Sequence, residues 1–376
     1  MDQWRVYLRA MMILCYVKFL PSDITKYHFH LYSYLLNGQR KPGNKIGYML
    51  NISKDYLEIP LSRVYISLNS NTKYRAKIKQ FIKNIQDATI ERIGETEWLE
   101  PKTRIAAAQK VKNINLGVLY STQSYNYKVP QLTNNVIKNV QIIGKSIIEK
   151  AFKDVEQKFT TDLWDEVPVY NVNAYYSSAG NRLFIPAAIA NWPFYCEQAS
   201  LGWNYGSLGC VVGHEITHAF DDNGKDYDEK GNRAEWWTKT DKRKYNENIN
   251  QIIKLYSQST LYGQKVDARD TLGENIADLG GMGASLQALK NQLNANKITE
   301  EKRLDELKDF FIGYATSWRE KEQRAHGLRE LITDVHAPAI IRVNNIVRHF
   351  QEWYDAFDIC SSDPLFLSVD KRIRIF

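Results

Sequence analysis

The stretch "GCVVGHEITHAFDD" at residues 209–222 sets the strongest condition on the fold. Small and apolar residues lead into two histidines four apart, His214 and His218, with Glu215 directly after the first. Residues four apart share one face of a helix, so both imidazoles can aim a nitrogen at one point. The apolar approach predicts a buried helix. There each unsatisfied polar group costs about 1–3 kcal/mol, so these three side chains must find partners. Zinc accepts imidazole nitrogen, and a glutamate rotated by about 100° from the first histidine can serve a metal-activated water as general base. A bare His-Glu-x-x-His also arises by chance on helices, so further ligands have to be found.

A catalytic zinc needs a third protein ligand and an open position. "GENIADLGG" at 273–281 supplies the candidate, because Glu274 and Asp278 are again four apart on an expected helix. Glu274 is the expected third ligand. Asp278 is placed to accept a hydrogen bond from a ligand histidine and fix its tautomer, and Asp221 can do the same. Taken alone, Glu274 also fits the less favoured reading of a first-turn carboxylate stabilised by the helix dipole. Charge developing on a peptide carbonyl oxygen also asks for a donor. "VHAPAIIRVNN" offers His336, in an expected turn, and Arg342, either of which would otherwise read as a surface residue.

The rest of the chain predicts a mainly α fold with a small β-sheet (α+β). "YRAKIKQFIKNIQDATIERI" puts Ile78, Phe81, Ile82 and Ile85 on one helical face; Val136, Val140, Ile143, Ile147, Ala151 and Val155 repeat the pattern. Both stripes are expected to pack in a core. "VPVYNVNAYYS" reads as a strand, "SAGN" as a turn and "RLFIPAA" as a return strand. Final helices are expected over 303–326 and 343–357. A soft boundary near 165 separates a helical region, 1–165, from a catalytic domain, 166–376.

Composition removes other classes. The net charge of +7 in 376 residues comes from scattered Lys and Arg, and nucleic-acid binding would need them on one face. The apolar run "AMMILCYV" has eight residues, against about 20 for a membrane span. No signal peptide is recognisable. Four scattered cysteines, without a CxxC pair, do not make a disulfide scaffold or a cysteine zinc site. The chain is therefore expected to be cytoplasmic, or a fragment of a larger secreted or membrane protein.

In this order, "VNAYYS", "NYGSLGCVVGHEITHAFDDNG", "YDEKGNRAEWW", "GENIADLGG" and "HAPAIIRVN" resemble the neprilysin and endothelin-converting-enzyme family of zinc metallopeptidases, family M13. The likeness runs over 165–376 and continues more weakly into the helical region, where "WLEPKTRIAAAQKV" is similar to a family helix. It implies a zincin, thermolysin-like catalytic domain with a partial helical lobe. It also implies one zinc ion held by His214, His218 and Glu274, with Glu215 as general base and Asp278 orienting a histidine. By the same resemblance, His336 would stabilise the tetrahedral intermediate, Arg342 would hold the substrate carbonyl on the primed side, and Asn173 and Ala174 would form the strand edge that binds peptide backbone. Peptides with large apolar primed-side residues are the implied substrates.

The departures carry expectations too. The chain resembles the C-terminal half of family members, so apolar surface that the other half would cover is expected to be exposed, as a partner or self-association site. The family's tail cysteine corresponds to Ile373 and another to Arg319, while Cys360 matches a family position whose partner lies in the other half. Family disulfides are therefore not expected, which favours a reducing compartment. The competing reading is a truncated, peptidase-like protein that binds zinc or peptide with little turnover.

Overall fold

The computed structural model describes residues 2–121, 128–155 and 168–376. In chain order the first helices are α1 (Asp2–Tyr16), α2 (Ser22–His28), α3 (Lys45–Tyr56), α4 (Glu58–Asn69), α5 (Thr72–Gly94), α6 (Pro101–Lys112) and α7 (Val136–Val155). They are followed by α8 (Leu201–Asn204), α9 (Cys210–Thr217), α10 (Lys239–Tyr256), α11 (Leu272–Ala295), α12 (Glu300–Ser317), α13 (Arg324–Thr333), α14 (Ala339–Val347) and α15 (Gln351–Phe357). Strands β1 (Asn115–Leu119), β2 (Tyr175–Ser177) and β3 (Arg182–Pro186) form one sheet in the order β1-β3-β2, and β4 (Thr260–Leu261) and β5 (Gln264–Lys265) a hairpin. The mainly helical class with a small sheet holds.

The chain forms two compact units. One has its described parts within Met1–Leu61, Asn126–Thr160 and Lys321–Glu330; the other has them within Ser62–Tyr125, Thr161–Glu320 and Leu331–Phe376. The boundary expected near 165 lies outside the described residues.

The first unit buries little. Helix α1 has no buried residue, and Trp4, Leu8, Met12 and Ile13 are exposed on it. Of the stripe on α7, Val140 and Ile143 are buried, but Val136, Ile147, Ala151 and Val155 are exposed, which corrects the expectation that the whole stripe is core. Amphipathic periodicity marks a face that can be buried; burial itself needs a neighbour along the full length, and α7 finds one in α3 over only part of it.

The second unit holds a continuous apolar core. Ile78, Phe81, Ile82 and Ile85 of α5 are buried in it as expected, and α5 packs on α6 and α11. Asn71 caps α5, its side-chain oxygen accepting from Tyr74 N at 2.9 Å. Helix α11 is buried nearly all round, as a helix rich in Gly, Ala and Leu can be. Ile373 is buried as well, and an apolar slot suits its side chain.

Three expectations are revised. Strand structure begins at Tyr175, not before: Asn171 N donates to Pro168 O in a turn, and Asn173 Oδ1 takes the Ala174 N–H, so these asparagines redirect the backbone. The helix expected over 303–326 stops at Ser317 and resumes at Arg324, because Trp318 leaves the helix to cover Arg342. The last helix starts earlier, after Pro338, and breaks between Val347 and Gln351, where His349 Nδ1 accepts from Ile373 N. Strand β1, unmarked by sequence, pairs parallel to β3 with Asn115 opposite Arg182.

Among the described residues no helix is long and apolar enough to cross a membrane. All four cysteines are free thiols.

Candidate metal centre

Helices α8 and α9 are one continuous rod, joined by a π-helical segment, Tyr205–Gly209. Such wide turns are frequent at functional sites. The rod buries His214 and Glu215, and His218 caps its C-terminal end. It crosses α11 where both helices carry glycine: a Cβ on Gly213 would lie 2.4 Å from Gly281 O. Only bare backbone tolerates that approach. It brings Glu274, in the first turn of α11, to the two histidines of the other helix.

Three atoms converge there. His214 Nε2 and His218 Nε2 are 3.0 Å apart, and Glu274 Oε2 lies 3.0 Å from the first and 3.6 Å from the second. His214 Nδ1 is 2.8 Å from Asp278 Oδ1, and His218 Nδ1 is 2.7 Å from Asp221 Oδ2. A carboxylate oxygen can only accept, so each Nδ1 carries a proton, and in neutral imidazoles both Nε2 atoms present lone pairs. In that neutral form two lone pairs face each other beside a carboxylate oxygen that is buried and receives no well-formed hydrogen bond. Mutual repulsion of this kind is relieved by a cation between the three. Tetrahedral zinc with ligands near 2 Å sets neighbouring donors ~3.3 Å apart, close to the spacings here. Two imidazoles with one carboxylate also suit zinc by ligand type. The residues present therefore fit the ion.

The surrounding charges agree. Asp278 is buried; burial pushes its pKa up, but Arg342 and the bond from His214 outweigh that and hold it at about 2. Arg342 grips it with two bonds, Nε to Oδ2 and Nη2 to Oδ1, each 2.7 Å. Glu274 is also held well below the usual carboxylate range, because the surrounding imidazoles overcome the opposing effect of burial. Burial lowers the pKa of His214 and His218, yet their carboxylate partners raise both on balance. The pocket therefore favours positive charge. Glu215 differs: burial raises its pKa, most strongly of all the influences on it, while His214 and His218 pull it down. A carboxyl with a raised pKa, next to one of the converging histidines, is suited to taking and returning a proton.

The other expected residues divide. His336 is brought in: its Nε2 lies 3.1 Å from Glu274 Oε2 and its Nδ1 2.6 Å from Asp334 Oδ1. Arg342 is buried against Asp278 beneath the ring of Trp318, whose centroid is 3.7 Å from the guanidinium carbon. Asn173 and Ala174 immediately precede β2, an outer strand of its sheet, and α9 packs against that strand. Trp318 and Asp334 escaped the sequence reading. Asp334, two residues before His336, could have been suspected from its spacing; nothing local marks Trp318.

Residues 173–373 match a family model described as peptidase family M13, and residues 1–121 match a second with the same description. Endothelin-converting enzyme-like 1 of Homo sapiens is 28% identical over 344 residues, covering 88% of this chain and 44% of the relative. The neutral endopeptidase of Lactococcus lactis subsp. lactis is 29% identical over 356 residues, covering 92% of this chain and 54% of its own. A crystal structure of a Mycobacterium tuberculosis zinc metalloprotease in complex with an inhibitor superposes with a TM-score of 0.93 at 29% identity, covering 100% of this chain and 57% of that one. The chain thus spans about half the length of the curated relatives it matches.

Proposed function

The chain belongs to peptidase family M13, and on that premise we propose that it is a zinc-dependent endopeptidase acting on oligopeptides. One observation carries the proposal: two imidazole Nε2 atoms and a Glu274 oxygen without a hydrogen-bond partner converge on a common point. His214, His218 and Glu274 would hold one zinc ion. When bound, zinc supplies Lewis acidity that activates a water and polarises the scissile carbonyl.

The protein's own residues do the rest. Glu215 takes a proton from the attacking water and returns it to the leaving amine. Asp278 and Asp221 keep the protons of His214 and His218 on Nδ1, so that both Nε2 atoms stay free to ligate. His336 has Asp334 on its Nδ1, so it carries an Nε2–H as the imidazolium, the form that, against burial, Glu274 and Asp334 favour, and offers it to the oxygen on which charge develops. Arg342 fixes Asp278 from the far side and contributes to holding the substrate carbonyl. Asn173 and Ala174 open the outer edge of β2 to an extended peptide, which can add as a further strand. In this reading 166–376 carry the chemistry, α5, α6 and β1 pack with them in the same unit, and the rest of 1–165 belongs to a helical lobe.

The test couples metal analysis to cleavage of a quenched fluorescent peptide. One zinc per chain, with cleavage abolished by a chelator and restored by zinc, is the expected result. Cleavage indifferent to chelation would overturn the proposal; stoichiometric zinc without cleavage would favour a peptidase-like binding protein.

A further inference from the structure

Lys110 lies in α6 at 1% exposure, far along the chain from the metal-centre motifs. Among the described residues no carboxylate lies within ion-pair distance of it. Its ammonium donates to three backbone carbonyls, Ala219 O at 2.7 Å, Gly224 O at 2.7 Å and Tyr227 O at 2.6 Å. An ammonium has three donors and no acceptor, so the charged form fills all three contacts, even though burial pushes the lysine's pKa down to about 7. The rings of Phe220 and Trp236 close two more sides, each centroid 5.6 Å from the nitrogen.

The three carbonyls belong to one loop, which starts directly after His218. Within it, Asp221 Oδ2 takes the Nδ1 proton of His218, while Asp221 Oδ1 accepts from Asn223 N at 2.9 Å and Gly224 N at 2.5 Å. The loop folds back so tightly that a Cβ on Gly224 would fall 1.8 Å from His218 O. Carbonyls turned to one buried point repel each other unless a donor sits among them. A cation there fixes the loop's curvature, and with it the position of Asp221.

We propose that Lys110 is a positioning residue of the metal centre: it gathers the Ala219, Gly224 and Tyr227 carbonyls and thereby keeps Asp221 on His218 Nδ1, leaving Nε2 free to ligate. This rests on the zinc reading above. Lys110 touches neither metal nor substrate and acts through Asp221 alone.

The experiment measures zinc affinity of the full chain by chelator competition for the wild type, Lys110→Met, Asp221→Asn and the double variant, with circular dichroism and metal-free thermal unfolding of each. Each single variant should fold and bind zinc about 10–100-fold more weakly, as expected when a ligand histidine loses its orienting partner. The double variant should be little worse than the weaker single one, because both changes break the same chain of contacts. In the wild type, 15N NMR should place the proton of His218 on Nδ1, and in folded Lys110→Met that preference should weaken. A wild type that binds no zinc would overturn the zinc reading itself. A zinc-binding wild type with a folded Lys110→Met of equal affinity would overturn only the role of Lys110, and independent multiplicative losses would overturn the route through Asp221. Should Lys110→Met not fold, Lys110→Gln, which keeps two donors, takes its place and should show a smaller loss. Failure of both to fold would also overturn the proposal, since the lysine would then serve the core as a whole.

Discussion

A Cβ placed on Gly281 would lie 2.3 Å from the backbone nitrogen of His214. The helix that carries Glu274 and the helix that carries both histidines therefore meet backbone to backbone, one turn or two from the side chains that converge. Gly281→Ala must push them apart. Overpacking of this kind costs about 1–3 kcal/mol, and the displacement should also widen the spacing of the three metal-facing atoms. Urea unfolding of the metal-free chain and zinc titration should both report a loss. An alanine variant unchanged in both would show that the contact gives way without strain.

Glu215 and Glu274 should separate cleanly on substitution. Glu215→Gln keeps shape and leaves the three converging atoms intact, so zinc should be retained while turnover falls by about 100-fold or more. Glu274→Ala removes one converging atom, so bound zinc should be lost first. Metal content measured beside peptide cleavage distinguishes them; zinc loss in Glu215→Gln as complete as in Glu274→Ala would contradict the assignment.

Arg342→Ala and His336→Ala should differ in kind. Arg342 is the buried partner of buried Asp278, and removing one member of such a pair costs about 3–5 kcal/mol. Denaturation should show that loss together with weaker peptide binding. His336 is part-exposed, so its alanine variant should fold with near-normal stability and lower kcat more than it raises KM. Equal and small effects from both would mean that the segment has no part in the site.

A pH effect should come from a histidine outside the centre. Burial, with Arg348 and Arg372 adding, pushes the His349 pKa down to about 4, and its Nδ1 accepts the Ile373 N–H. In the unfolded chain the value is ~6.5. Between these values the unfolded chain binds the proton and the folded one does not, so stability is full above the unfolded pKa and is lost as pH falls toward 4. The loss amounts to about 3 kcal/mol when complete. Urea midpoints from neutral pH down to the folded pKa should fall less steeply in His349→Gln than in the wild type; equal slopes would remove His349 from the account.

Much of the candidate centre was legible because its parts are local. His214 with His218, and Glu274 with Asp278, each obey the four-residue spacing of one helix, and a spacing can be read without coordinates. The core face of α5 was legible for the same reason. Where the reading went astray, an interaction distant in sequence had overruled a local pattern. The stripe on α7 satisfied periodicity without a neighbour to bury all of it. Trp318 ended a helix to lie over Arg342, and His349 interrupted another to receive Ile373 N.

By itself, then, the sequence determined which residues could ligate, which could move a proton, and which helices had to present them, since donor chemistry and helical repeat are properties of the chain. Only the tertiary structure decided that two helices 64 residues apart at His214 and Asp278 lie close enough to bring Glu274 to both histidines. It also decided that Arg342 faces Asp278, and that a lysine from α6 holds the loop behind His218. The physical reason is that such contacts depend on how closely backbones approach in space, and a bare glycine at a crossing leaves that open until the partner helix is known.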